Sequence, residues 1–83
     1  MKILMLDDSI ISMENVRSAK ANRSEETHTH KGSKVTTYRA TITIAYQTNC
    51  EDEHIYITAN TEQKRESEIR SILNKIAQIV RID

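Results

Sequence analysis

Residues 37–46 read TYRATITIAY, a stretch in which every second position is apolar or aromatic. This alternation is typical of a β-strand that turns one face toward a core, and Thr, Ile and Tyr all favour strands. The inward face is expected to consist of the even-numbered side chains Tyr38, Ala40, Ile42, Ile44 and Tyr46. Such a strand needs another layer of structure to cover that face.

A C-terminal helix over residues 61–81 is the predicted covering layer. Its apolar residues recur every three or four positions and form one stripe, made of Ile69, Ile72, Leu73, Ile76, Ile79 and Val80. Asn60 is the expected N-cap, with Gln63 reaching back toward it. Glu66 and Arg70 are expected to form an ion pair on the helix surface.

Shorter patterns predict the remaining strands. Residues 54–59 alternate again, with Ile55, Ile57 and Ala59 inward, and residues 47–53 would connect them to the preceding strand. Near the N-terminus, two short apolar runs over residues 2–6 and 10–13 flank the turn-forming residues Asp7, Asp8 and Ser9. This pattern predicts a small hairpin. The expected fold is α+β, with four or five antiparallel strands and the helix across one face, in a single domain over residues 1–83.

For the polar segment over residues 16–31, secondary-structure propensity does not decide between a strand and a loop. Alternation over 27–30 and the position of Gly32, the single glycine, favour a hairpin that closes at residues 31–33. Residues 23–35 would then be a projecting polar tip. The alternative is an irregular loop, because polar segments without apolar neighbours often stay unfolded.

The opening of the chain resembles a group of short uncharacterised bacterial and phage proteins. The resemblance rests on residues 1–5 (MKILM) and on the run from Ser9 to Arg17 (SIISMENVR), which is similar to an I-N-L-E-N-V turn. It implies an antiparallel meander that ends in one helix, and it implies no function. The chain departs from that pattern at Ser12 and Met13 and in its few aromatic residues.

Composition excludes several classes of function. One glycine is too few for the glycine-rich loops that bind phosphate in P-loop and dinucleotide-binding proteins. One cysteine, Cys50, allows no internal disulfide and suits a reducing compartment, so we expect a cytoplasmic protein with no membrane segment. Neither Asp7 with Asp8 nor Cys50 with His54 has the third group that catalysis requires, so no catalytic residue and no cofactor are predicted.

A metal site is a further hypothesis. His28 and His30 stand two apart on the predicted strand and project from the same side, together with Glu26. A structural zinc ion normally takes four ligands at recognisable spacing, so a solvated polar strand is the favoured interpretation and no metal ligand is assigned.

Basic residues are concentrated in one part of the chain. Residues 17–39 carry net charge +4, whereas the whole chain is neutral. We predict that this segment contacts an anionic ligand or an acidic protein, and the candidate contact residues are Arg17, Lys20, Arg23, His28, His30, Lys31, Lys34 and Arg39. The alternative is a soluble sheet edge, kept charged to prevent aggregation.

The first functional hypothesis is therefore a non-catalytic binding or inhibitor protein. We expect it to be encoded by a phage or mobile element and to block a partner or sequester an anionic ligand such as a signalling nucleotide. The alternatives are weak nucleic-acid binding, in which Arg23, Lys31, Lys34 and Arg39 contact phosphates, and metal binding through His28 and His30. A core without Phe or Trp is thin, so a homodimer or larger homo-oligomer is expected as well.

Overall fold

The computed structural model describes residues 2–6 and 8–81. Five strands precede one helix along this part of the chain. The strands are β1 (Ile3–Leu6), β2 (Ser9–Ser12), β3 (Val16–His30), β4 (Ser33–Tyr46) and β5 (Glu53–Ala59), and the helix is α1 (Glu62–Val80). This confirms the predicted α+β class, although the strands divide into two sheets.

The two sheets are both antiparallel. β1 and β2 form a small hairpin of their own, while the larger sheet has the order β3-β4-β5. The register places Ile42 of β4 between Ala21 of β3 and Ile55 of β5. The predicted turn of the small hairpin includes Asp7, which lies outside the described residues.

The three-stranded sheet has two chemically different faces. Residues opposite each other in a sheet share a face. The face that we call the core face consists of the odd-numbered residues of β3 from Ala19 onward, the even-numbered residues of β4 and the odd-numbered residues of β5. The other side, here called the open face, consists of the even residues from Ser18 on β3, the odd residues on β4 and the even residues on β5. Helix α1 packs on the core face.

The core forms where α1 and the small hairpin meet the core face. Ile42 and Ile44 have no exposed surface, and Ile69 and Ile76 of the helix are buried against the same cluster, as predicted. The other residues of the predicted stripe, Ile72, Leu73, Ile79 and Val80, pack against the same cluster but are only partly buried. The small hairpin supplies the remaining cover through Leu4, Ile11 and Met13.

Two hydrogen bonds from side chains to backbone carbonyl oxygens tie the small hairpin to the rest of the molecule. The Tyr46 hydroxyl donates to the Ser12 carbonyl oxygen at 2.8 Å, and Lys2 Nζ donates to the Val80 carbonyl oxygen at 3.3 Å. These bonds join β2 to the end of β4, and β1 to the last turn of the helix. Tyr46 is therefore half-buried rather than a full core residue.

The N-cap of the helix is one residue later than predicted. Thr61 is the N-cap, since its backbone is extended and its Oγ1 accepts a hydrogen bond from the Lys64 N–H at 3.1 Å. The prediction of Asn60 as the N-cap was wrong because Asn and Thr are both good N-cap residues, and the two stand next to each other in the sequence.

Among the described residues, no helix has both the length and the apolarity needed to cross a bilayer.

Residues 16–30 form strand throughout, paired with β4 up to a two-residue turn. Both turn residues have positive φ, 52° at Lys31 and 79° at Gly32. A two-residue hairpin with two positive φ angles has the twist that neighbouring strands require. Residues 23–35 therefore lie in the paired end of the hairpin, and their side chains are almost all exposed.

The turn predicts opposite effects at its two positions. We expect Gly32→Ala to lower the free energy of unfolding by about 1–2 kcal/mol, because an L-residue is strained at positive φ. Lys31→Asn should raise it by about half a kcal/mol, because Asn tolerates this conformation better than Lys. Urea denaturation of both variants tests the pair, and equal shifts in one direction would contradict the turn geometry.

The core predicts a larger effect at Ile76, which is 4% exposed. Ile76→Asp should abolish cooperative thermal unfolding, since an unpaired buried charge costs about 3–5 kcal/mol in a domain whose total stability is about 5–15 kcal/mol. The matched control is Asn74→Asp on the exposed side of the same helix. An unchanged midpoint for Ile76→Asp would mean that α1 does not pack on the sheet.

Candidate functional site

The predicted contact residues do not share one surface. Lys20, His28, His30 and Arg39 lie on the open face, whereas Arg23 and Lys34 lie on the core-face side of the hairpin. Arg17 sits at a bulge between Val16 and Ser18, and Lys31 is in the turn. The positive charge of the segment is therefore divided between two sides of the sheet.

Arg23 is held in an ion pair with the helix. Its Nε donates to both carboxylate oxygens of Glu66, at 2.8 and 2.9 Å. The same carboxylate accepts a hydrogen bond from Arg65 Nε at 2.9 Å. The predicted pairing of Glu66 with Arg70 was therefore wrong, because Glu66 faces the β3 strand and binds two arginines there.

Arg65 is the buried centre of this cluster, with 3% of its surface exposed. Its Nη1 donates to the Ser24 carbonyl oxygen at 3.2 Å and to Glu25 Oε1 at 2.9 Å. The guanidinium also stands over the Tyr38 ring, 5.4 Å from its centroid, within the range of a cation–π contact. The cluster thus fixes the first turns of α1 on the middle of the β3–β4 hairpin.

The cluster changes the ionisation of its members. Partial burial alone would raise the pKa of the Glu66 carboxyl, but hydrogen bonds from Arg23 and Arg65 lower that pKa below its ordinary value. The hydrogen bond to Glu25 raises the pKa of Arg65, so the buried guanidinium stays charged. Arg23 and Glu66 thus help to hold the helix on the sheet, while 46% of the Arg23 side chain stays exposed.

Arg39 is also paired, but loosely. Its Nη2 lies 3.4 Å from Glu26 Oε2, and both side chains are more than half exposed. Exposed pairs of this kind contribute little to stability, so Arg39 remains available on the open face. Among the described residues, Arg17 and Lys20 have no carboxylate within ion-pairing distance.

Arg17 and Lys20 share a shallow depression of about 240 Å³ at one end of the open face. Its other polar lining residues are Ser18, Asn22, Thr43 and the acidic Asp52, which offsets part of the positive charge. Two cations, an amide and two hydroxyls can bind the oxygens of an anion such as phosphate. The depression is therefore the part of the basic segment best suited to an anionic ligand.

Aromatic rings lie on the same face, across the central strand from these cations. Tyr56 is 76% exposed and stands opposite Thr41, while His54 stands opposite Thr43. The two rings are 6.4 Å apart, and His54 Nδ1 lies 3.2 Å from Thr43 Oγ1. Sequence reasoning missed Tyr56 as a candidate and considered His54 only beside Cys50, although the alternation over 54–59 already placed both on the outward side.

The fold does not bring His54 near the two histidines of the metal hypothesis. His28 and His30 share the open face with Glu26, but His54 is opposite Thr43 whereas His28 is opposite Val35. Eight residues along β4 correspond to roughly 27 Å, so His54 cannot join them. Over residues 2–6 and 8–81, no group of three or more metal-binding side chains occurs.

The structure adds no support for the two catalytic pairs considered from the sequence, Asp7 with Asp8 and Cys50 with His54. Asp7 of the first pair lies outside the described residues. Exposed Cys50 accepts a hydrogen bond from Thr48 Oγ1 at 3.1 Å, and His54 contacts Thr43 instead. The open face is therefore the surface on which the candidate binding groups are concentrated.

The Glu66 cluster predicts a specific pH dependence of stability. A carboxyl whose folded pKa is lowered stabilises the fold above its unfolded pKa, and this contribution is lost as the pH falls through the folded pKa. We expect Glu66→Gln to lower the thermal midpoint at pH 7, with a difference from wild type that shrinks steadily below about pH 4.3. The control is Glu51→Gln in an exposed loop, and a difference that does not change with pH would exclude this role.

Comparison with known proteins assigns no family to the chain. No family model matches the sequence, and no curated protein or solved structure is similar to it. The functional argument therefore rests on the geometry of the open face.

Proposed function

We propose that this protein is a non-catalytic binding protein that holds a phosphate-bearing aromatic ligand on the open face of its three-stranded sheet. The observation that carries the proposal is the placement of exposed Tyr56 beside His54, with Lys20 two strands away on the same face. A nucleotide and a short single-stranded nucleic acid both present this chemistry. We call the surface formed by Tyr56, His54 and Lys20 the Tyr56–Lys20 face.

The two ends of the Tyr56–Lys20 face suit the two ends of such a ligand. A base can stack on the Tyr56 ring, because stacking on an aromatic side chain accepts any base. Lys20 lies directly across the sheet from His54, at roughly 10 Å or two strand spacings, and diagonally from Tyr56. There it and Arg17 can contact phosphate oxygens. Threonines of β4 lie between them and provide hydroxyl groups, at Thr41 and Thr43.

The mode of action proposed is occupancy, in which the bound ligand is sequestered or a partner surface is blocked. Support comes from the site itself, since its side chains bind and position groups but form no nucleophile and base pair of the kind that catalysis needs. Origin from a phage or mobile element, a cytoplasmic location and a homo-oligomeric state stay predictions from the sequence.

Binding measurements on single variants test the proposal. The probes are a fluorescein-labelled oligothymidylate, followed by anisotropy, and a panel of mononucleotides and cyclic nucleotides, followed by thermal shift. Tyr56→Leu should weaken binding by about 1–3 kcal/mol for each stacked base, and Lys20→Ala should weaken it less. The matched control is Lys64→Ala, an exposed lysine on α1 away from the open face.

The salt dependence of oligothymidylate binding tests the number of cations, and the thermal shift separates the two sources of ligand. Two phosphate contacts on a single strand give a slope of log affinity against log salt of roughly −1.4. The four contacts of the sequence hypothesis would give roughly −2.8. A thermal shift with nucleotides alone identifies a small ligand, whereas no binding of either probe at low salt would overturn the proposal.

A further inference from the structure

We infer that two copies of this chain associate through the free edges of their β5 strands, with Tyr56 on the twofold axis, to form one continuous six-stranded sheet. The order β3-β4-β5 leaves two strand edges without a partner among the described residues. The two edges differ in how well they resist pairing with another chain.

The β3 edge carries the features by which proteins protect exposed strands. It begins with a bulge, and it holds charged residues along its length, at Arg17, Lys20, Arg23, Glu25 and Glu26. Bulges and charges both discourage pairing with a second chain. The β5 edge has neither protection, since its sole acidic or basic residue is Glu53 at its first position and its centre reads Ile55-Tyr56-Ile57.

The β5 strand is self-complementary when it pairs antiparallel with its own copy. With Tyr56 opposite the partner's Tyr56, each Ile55 faces an Ile57 on the core side. His54 faces Thr58 on the open side, and Glu53 faces Ala59. Aromatic and β-branched pairs of this kind stabilise antiparallel sheets, and no like charges are placed opposite each other.

A groove of about 490 Å³ runs along this edge and supports the same occupant. Its walls include Met5 and Tyr56, which are 67% and 76% exposed, and half-buried Ile72 of the helix. Glu68 and Lys75, on either side of Ile72, also line the groove. A twofold axis reverses the partner helix, so each Glu68 would approach the Lys75 of the second copy, and the two charges are complementary.

The dimer would also change the binding surface. The open faces of the two copies become one continuous face with a Tyr56 from each copy at its centre and a Lys20 toward each end. A second copy therefore contributes half of a symmetric surface. The inference does not depend on the proposed function, because the association needs no ligand.

Disulfide trapping tests the contact directly. In a Cys50→Ser background, Tyr56→Cys should give a covalent dimer under mild oxidation, because opposed residues in either type of antiparallel pair are about 4.5–5.5 Å apart at Cα, within disulfide range. Ser24→Cys on the β3 edge is the control and should stay monomeric on a non-reducing gel. Crosslinking through Ser24→Cys alone would overturn the inference.

Charge variants provide a second measurement by sedimentation velocity, with circular dichroism to verify folding. His54→Glu combined with Thr58→Glu should weaken dimerisation by about tenfold or more, since the two positions face each other across the axis. His54→Lys combined with Thr58→Glu should restore the dimer. A wild-type monomer up to high micromolar concentration, or a dimer that both double variants leave unchanged, would overturn the inference.

Discussion

The burial of the core face of β4 is the constraint on which the rest of the structure depends. Ile42 and Ile44 lie on the central strand and have no exposed surface, so other parts of the chain must cover both side chains completely. The chain has no Phe or Trp, and the helix contributes Ile69 and Ile76 to the buried cluster that covers them. The small hairpin completes the cover, and its hydrogen bonds at Ser12 and Lys2 hold it in place.

The sequence predicts the parts of the fold that follow from periodicity. Alternation in β4 and β5 and the helical spacing of Ile69 and Ile76 each have one interpretation, because a residue's face depends on its position along the element. The contribution of Leu4, Ile11 and Met13 to the core was not predicted, since short apolar runs do not show where a separate hairpin will pack. Its position depends on long-range contacts.

The ion-pair cluster shows a different limit. Arg65 precedes Ile69 by four residues and therefore continues the apolar stripe of the helix, which was a signal that it would point inward. Its partners could not be identified, because Glu25 and Arg23 belong to a strand whose register against the helix is a tertiary property. The same holds for the open face, because Tyr56 and Lys20 can be placed on one face, on either side of β4, only when both pairings are known.

The tight turn at Lys31 and Gly32 has a consequence for the kinetics of folding. The pairs nearest the turn, such as His30 with Ser33, are separated by very few residues, so closing them costs little chain entropy. Pairing can then propagate down the hairpin toward Val16 and Tyr46, each step adding contacts to those already formed. β5 and α1 can then pack against a hairpin that is already formed. This reduces the effect of the long-range contacts that make sheet proteins slow to fold.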